Sequence, residues 1–129
     1  MGEVALVRIY DREQDNRGRR FLIERLWPRG VRRDELRLDG WLPEVGPSHE
    51  LRKWFGHDPE RWAEFQRRYF VELDEHPETW RPLLDVLSAH DITLLYSSHD
   101  TEHNNAVALR RYLLAHRQSG AAPDQEAGA

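Results

Sequence analysis

Three short stretches of this 129-residue chain gather the side chains that could do chemistry. The first is Ser97-Ser98-His99-Asp100-Thr101-Glu102-His103-Asn104-Asn105, directly after the apolar run Ile92-Thr93-Leu94-Leu95-Tyr96. If a strand ends at Tyr96 and a helix begins near Glu102, the free N–H groups of that helix point to the polar turn and favour an anion there. Capping the helix is the structural alternative, and it accounts for Asp100 and Thr101. It accounts less well for Ser97, Ser98, His103 and Asn104 beside them.

The second stretch is Glu24-Arg25-Leu26-Trp27-Pro28-Arg29-Gly30. The guanidinium forks of Arg25 and Arg29 suit a phosphate or carboxylate, and Trp27-Pro28 would wall the pocket. Alternatively, Arg25 pairs with an acid and Trp27 fills core. The third is Trp54-Phe55-Gly56-His57-Asp58-Pro59, where an imidazole beside a carboxylate could act as a general base or sit as a solvated loop residue.

His99-Asp100-Thr101-Glu102-His103 also spells H-x-x-E-H, an inverted zinc-peptidase pattern. Two histidines four apart share a helix face, but His99 falls in the expected turn. The third ligand would have to be Asp58 or His57. Zinc at His99 and His103 is therefore a lesser alternative. Cysteine is absent, which excludes disulfides, a Cys nucleophile and thiolate-held metal. No dinucleotide fingerprint, P-loop or serine elbow occurs.

The elements that must position these groups follow from apolar spacing. Val4 to Tyr10 and Phe21 to Leu26 read as short strands, and Ile92 to Tyr96 as the clearest one. Residues 31–47 read as short turns. Ser48 caps a helix that Gly56 ends, and Asp58-Pro59-Glu60 opens another that runs to about Glu75. Further helices are expected over Glu78 to His90 and Glu102 to Arg117. The long helical crossover between Leu26 and Ile92 predicts parallel pairing. The expected fold is one α/β domain over residues 1–117, with a three- to four-stranded, mainly parallel sheet in Rossmann-like layers flanked by helices. Residues 118–129 read as a disordered tail. In such sheets ligands sit beyond the carboxyl ends of the strands, where the first two polar stretches would converge.

Composition narrows the partners. The chain carries 19 basic and 23 acidic residues, a net charge of −4. Residues 1–37 are nevertheless net +3, with Arg12, Arg17, Arg19 and Arg20 close together. A nucleic-acid accessory module using this third is the alternative function, and an interface of exposed aromatics is a further one. No apolar run approaches membrane-spanning length and the first ten residues lack a signal-peptide pattern, so a cytoplasmic location is expected.

The chain resembles the bacterial YeaO-like family, a branch of the DUF488 group of unknown function. The resemblance rests on Arg8-Ile9-Tyr10-Asp11, Arg25 to Val31, Leu51 to Trp62, Thr93 to Tyr96 and Asp100 to Asn104. It implies a small α/β protein of unassigned activity, so that no catalytic residue can be carried over from the family. It departs at His99, where relatives are expected to carry Lys or Arg, and at Glu24, where Asp is expected.

The leading expectation is a small anionic ligand, phosphate- or carboxylate-bearing, at the carboxyl edge of the sheet. Arg25 and Arg29 would hold it, with Trp27, Ser97, Ser98, Asp100, Thr101 and Asn104 completing the cradle. His57 or His103 would supply acid/base chemistry if there is any. Whether the chain is an enzyme, which cofactor it uses and its oligomeric state are open at this level.

Overall fold

The computed structural model describes residues 2–11 and 18–121. Four strands, β1 (Val4–Arg8), β2 (Arg19–Leu22), β3 (Gly40–Trp41) and β4 (Ile92–Tyr96), form one all-parallel sheet in the order β1-β4-β2-β3. The α/β architecture and the parallel pairing follow the sequence pattern. β4 lies between β1 and β2, in register from Val4 opposite Ile92 to Arg8 opposite Tyr96 on one side and from Arg19 opposite Ile92 on the other. All five of its residues are buried, as a near-continuous apolar run in a parallel sheet should be.

The second strand differs from its expected span of Phe21 to Leu26. It begins at Arg19 and ends at Leu22, with one further bond from Ile23 N–H to the Leu95 carbonyl. Two arginines can enter it because Arg20 is buried and tied down. Its Nε donates to the Arg37 carbonyl at 2.7 Å and its backbone N–H to Asp39 Oδ2 at 2.7 Å. The four close arginines expected to serve a nucleic acid from a loop divide accordingly: Arg19 and Arg20 belong to a strand, and Arg12 and Arg17 lie outside the described residues. Gly18 precedes the strand at φ +65°, and a Cβ there would lie 1.9 Å from the Asp91 carbonyl oxygen. Only glycine fits so close an approach. β3 falls within the stretch expected as turns, since two residues carry no readable alternation.

Helices α1 (His49–Phe55), α2 (Trp62–Glu75), α3 (Pro77–Leu87) and α4 (Asn105–Ala121) pack on one face of the sheet. Their shared core includes Phe65, Tyr69, Leu83, Leu94 and Leu109. The opposite face holds a smaller core of Val7, Ile9, Leu22, Val31, Leu36 and Leu95, with Trp27, Leu38 and Trp41 packed on it. Loops and short turns, not helices, cover that side. α4 runs to Ala121, beyond its expected end at Arg117, and residues 122–129 of the expected tail lie outside the described residues.

The caps expected around α1 are present. Ser48 Oγ accepts from Leu51 N–H at 3.1 Å, and Gly56 closes the helix at φ +54°. Ser48 is also held by Glu72 of α2, which accepts from its N–H at 2.9 Å and its hydroxyl at 2.5 Å. Ser48→Ala removes the cap and one bond to Glu72. It should cost about 1–2 kcal/mol, measured by urea unfolding with no change in m value.

Candidate functional site

The carboxyl ends of β2 and β4, the exposed-to-core edge of α1 and the approach to α4 enclose a cleft of about 170 Å³. Phe55, Phe65 and Pro47 give it apolar walls. Glu24, Arg52, Ser97, Ser98, His103, Asn104 and Asn105 give it polar ones, and His57 stands at its mouth. The topology explains the convergence. β4 is flanked on both sides, so Ser97 and Ser98 emerge at the middle of the sheet edge, and Glu24 emerges beside them one strand away.

Glu24 is half-buried, and its carboxylate faces protein. Ser97 N–H donates to its Oε2 at 3.0 Å, and the Ser97 hydroxyl and Asn105 amide also bond to it. Burial raises its pKa above the ordinary carboxylate range. The Ser97 N–H, the Arg52 charge and the two side-chain bonds offset this only in part. A carboxyl with a raised folded pKa binds its proton more tightly in the native state than in the unfolded one. Stability therefore falls as pH rises from the ordinary carboxylate value through the raised one. Glu24→Gln should unfold at a higher temperature than the parent above that window. The difference should close as pH falls below it, which a thermal-unfolding series across pH would read.

The turn after β4 is built by local hydrogen bonds. Asp100 Oδ1 accepts from the N–H groups of Glu102 and His103, each at 2.9 Å, and its Oδ2 meets His103 Nδ1 at 3.0 Å. These bonds, led by the Glu102 N–H, hold the Asp100 pKa below its ordinary value. An ionised carboxylate only accepts, so Nδ1 carries the hydrogen and Nε2 is the ring nitrogen left to face a ligand. The His103 ring stands edge-on to Trp62, with centroids 5.3 Å apart. Asn104 is the true cap of α4: it is buried, its Oδ1 accepts from Val107 N–H at 3.0 Å and its Nδ2 donates to the Asp100 carbonyl at 2.8 Å. The helix thus starts at Asn105 and not at Glu102, because Asp100 closes a turn of its own first.

That later start corrects the zinc reading. His99 and His103 both precede α4, so no shared helix face brings them together. His99 Nδ1 meets Arg8 Nη2 at 3.0 Å, while His103 is held by Asp100. No group of three His, Asp or Glu side chains suited to a metal occurs among the described residues.

The remaining expected residues divide. Arg25 does not line the cleft. Its Nε donates to the Pro47 carbonyl at 2.6 Å and its Nη2 to the Gly46 carbonyl at 3.1 Å, which fixes the chain entering α1. Thr101 is exposed and lines a different groove with Glu102, Arg110 and Leu114. Trp27 and Arg29 border a second, more open compartment of about 540 Å³ that shares Glu24, Arg52 and Ser97 with the cleft. Trp27 is fixed there by its Nε1–H bond to the Val31 carbonyl at 2.6 Å and by an edge contact with Trp41. His57 reaches the cleft mouth with a left-handed backbone at φ +58°.

Sequence reasoning missed Arg52, Phe55 and Phe65 as cleft residues and gave Glu24 no role. The signal for Arg52 was its place in α1, one residue after the inward Leu51 and three before the inward Phe55. The exposed aromatics expected of an interface are few: among the described residues, Tyr10 is the aromatic side chain with a large exposed surface. No helix among the described residues is long and apolar enough to cross a membrane.

A family profile described as the inactive DUF488-N3 subclade matches residues 3–128. An uncharacterized protein of Escherichia coli (strain K12), YeaO, is 40% identical over 106 residues, covering 82% of this chain and 92% of that one. Two uncharacterized mycobacterial proteins, Mb3100c of Mycobacterium bovis and Rv3073c of Mycobacterium tuberculosis, are each 43% identical over 72 residues. Those matches cover 56% of this chain and 61% of each relative. No solved structure matches.

Proposed function

This chain belongs to the DUF488 family, in the branch described as the inactive DUF488-N3 subclade, and on that footing we propose that its cleft binds a small anionic molecule without turning it over. The observation that carries the reading is the meeting of Arg52 with Ser97, Ser98 and Asn105 around the half-buried Glu24. Arg52 faces the anionic group. Ser97, Ser98, His103 and Glu24 satisfy hydroxyls, and Phe55 and Phe65 pack against the carbon frame. A cleft of about 170 Å³ suits a metabolite, not a polymer.

Two features support binding over catalysis. The family description names inactivity. His57 is exposed, and among the described residues no hydrogen bond orients it as a base. His103, the other acid/base candidate, is oriented by Asp100 and remains competent to accept a hydrogen bond from a ligand. The nucleic-acid reading loses Arg20, whose Nε is spent on the Arg37 carbonyl inside the fold.

The test uses the full chain with ribose 5-phosphate and gluconate, a phosphate and a carboxylate that both carry hydroxyls. Thermal unfolding should shift upward with either probe at millimolar concentration. Mass spectrometry of the probe after incubation should return it unchanged. Conversion of either probe would overturn the non-catalytic reading, and the absence of any shift would overturn binding.

A further inference from the structure

The open compartment beside the cleft holds more positive charge than the fold itself uses. Arg8, Arg29 and Arg52 border it, and Glu24 is the only acidic residue among those that line it. Three guanidiniums against one carboxylate leave a local surplus of two positive charges. Among the described residues none of the three has a carboxylate at ion-pair distance. Arg8 is held in place by other contacts instead: its Nε donates to the Ser98 carbonyl at 2.9 Å, its Nη2 meets His99, and its guanidinium lies over the Tyr10 ring at 4.8 Å. The Tyr10 hydroxyl in turn donates to the Arg29 carbonyl at 3.0 Å. Arg8 and the Arg29 backbone are thus pre-positioned, and Arg52, whose charge acts on Glu24, borders the same space.

A single carboxylate would leave this surplus half unmet. A phosphate monoester carries about −1.5 to −2 charges near neutral pH and three acceptor oxygens, which matches both the surplus and the number of arginines. Glu24 borders both spaces, but in the narrow cleft it faces Arg52 alone and accepts hydroxyl hydrogens, whereas in the open compartment three arginines outweigh it. We propose that the open compartment is a phosphate subsite, so that the ligand is a polyol phosphate monoester, its phosphate held by Arg8, Arg29 and Arg52 and its hydroxyls in the cleft against Glu24. This rests on the binding reading above and names the class of anion that the reading leaves as either phosphate or carboxylate.

Isothermal titration of the full chain with ribose 5-phosphate, ribose and gluconate separates the two levels. Ribose 5-phosphate should bind at least about tenfold tighter than either of the others, since charge-assisted bonds to several guanidiniums are at stake. Arg29→Ala should pull that ratio down several-fold, and Arg29→Lys should restore part of it. Gluconate binding as tightly as ribose 5-phosphate would overturn the phosphate subsite and leave the anion cleft standing. A ratio untouched by Arg29→Ala would also overturn the subsite, because the phosphate would then lie elsewhere. No binding of any of the three would overturn both.

Discussion

Arg52→Ala is expected to weaken ribose 5-phosphate binding about 10- to 100-fold while leaving the unfolding midpoint within about 2 °C of the parent. The two halves of this expectation have separate causes. Arg52 borders both the cleft and the open compartment, so its guanidinium faces any anion that enters either. A charged group that loses its partner in a partly desolvated site costs a charge-assisted hydrogen bond. The side chain itself is exposed and makes no ion pair with a described residue, so the fold does not depend on it. Its charge does act on Glu24, lowering that carboxyl against the stronger effect of burial. In Arg52→Ala the Glu24 pKa should therefore move further up, which a carbon-detected titration of the labelled carboxyl would read. A variant with full affinity would remove Arg52 from the account.

The second large effect concerns the frame. Leu94→Ala should destabilise the protein by about 3–4 kcal/mol, or roughly 10–15 °C in midpoint. Leu94 is fully buried in the central strand β4 and belongs to the core that all four helices share. Truncation leaves a cavity under elements that cannot close around it, because β4 is fixed by strands on both sides. The same strand ends at Ser97 and Ser98, so looseness there should also lower affinity in the surviving native fraction. Tyr69→Phe provides the contrast. It keeps the packing and removes one hydroxyl bond to the Val45 carbonyl at 2.6 Å, which should cost about 1 kcal/mol. Equal losses in the two variants would show that β4 is not the organising strand.

Much of the frame was legible in the residues. The β4 run is apolar on both faces, which only a central parallel strand requires. Ser48, Gly56 and Asp58-Pro59 punctuate α1 and α2 by local chemistry that needs no tertiary information. Other boundaries depend on contacts that spacing does not carry. Arg19 and Arg20 read as loop until Arg37 and Asp39 are known to satisfy Arg20 inside the fold. The start of α4 was misplaced by three residues because Asp100 and Asn104 are both good caps. The first closes a separate turn, and only the second accepts from the helix.

The candidate site was legible by place more than by residue. The expected parallel pairing placed the candidate site beyond Tyr96, and Ser97, Ser98 and His103 do line the cleft. Arg25 and Arg52 are a reversal that no local signal could resolve. Both are arginines within two residues of a buried side chain, Ile23 for one and Leu51 for the other. One spends its guanidinium on the carbonyls of Gly46 and Pro47, and the other leaves its guanidinium facing the cleft. Which does which depends on where α1 sits against β2, a contact between segments far apart in the chain. Glu24 was passed over for the same reason: its partners Ser97 and Asn105 lie more than seventy residues away.

The most direct test of the account is a nitrogen–proton correlation spectrum of the full-length chain titrated with ribose 5-phosphate. The account predicts saturable shifts at the Ser97 and Ser98 amides, the Asn105 side-chain amide and the Trp27 indole N–H, with the α3 amides unmoved. Saturable shifts confined to other surfaces, or none up to millimolar probe, would contradict it.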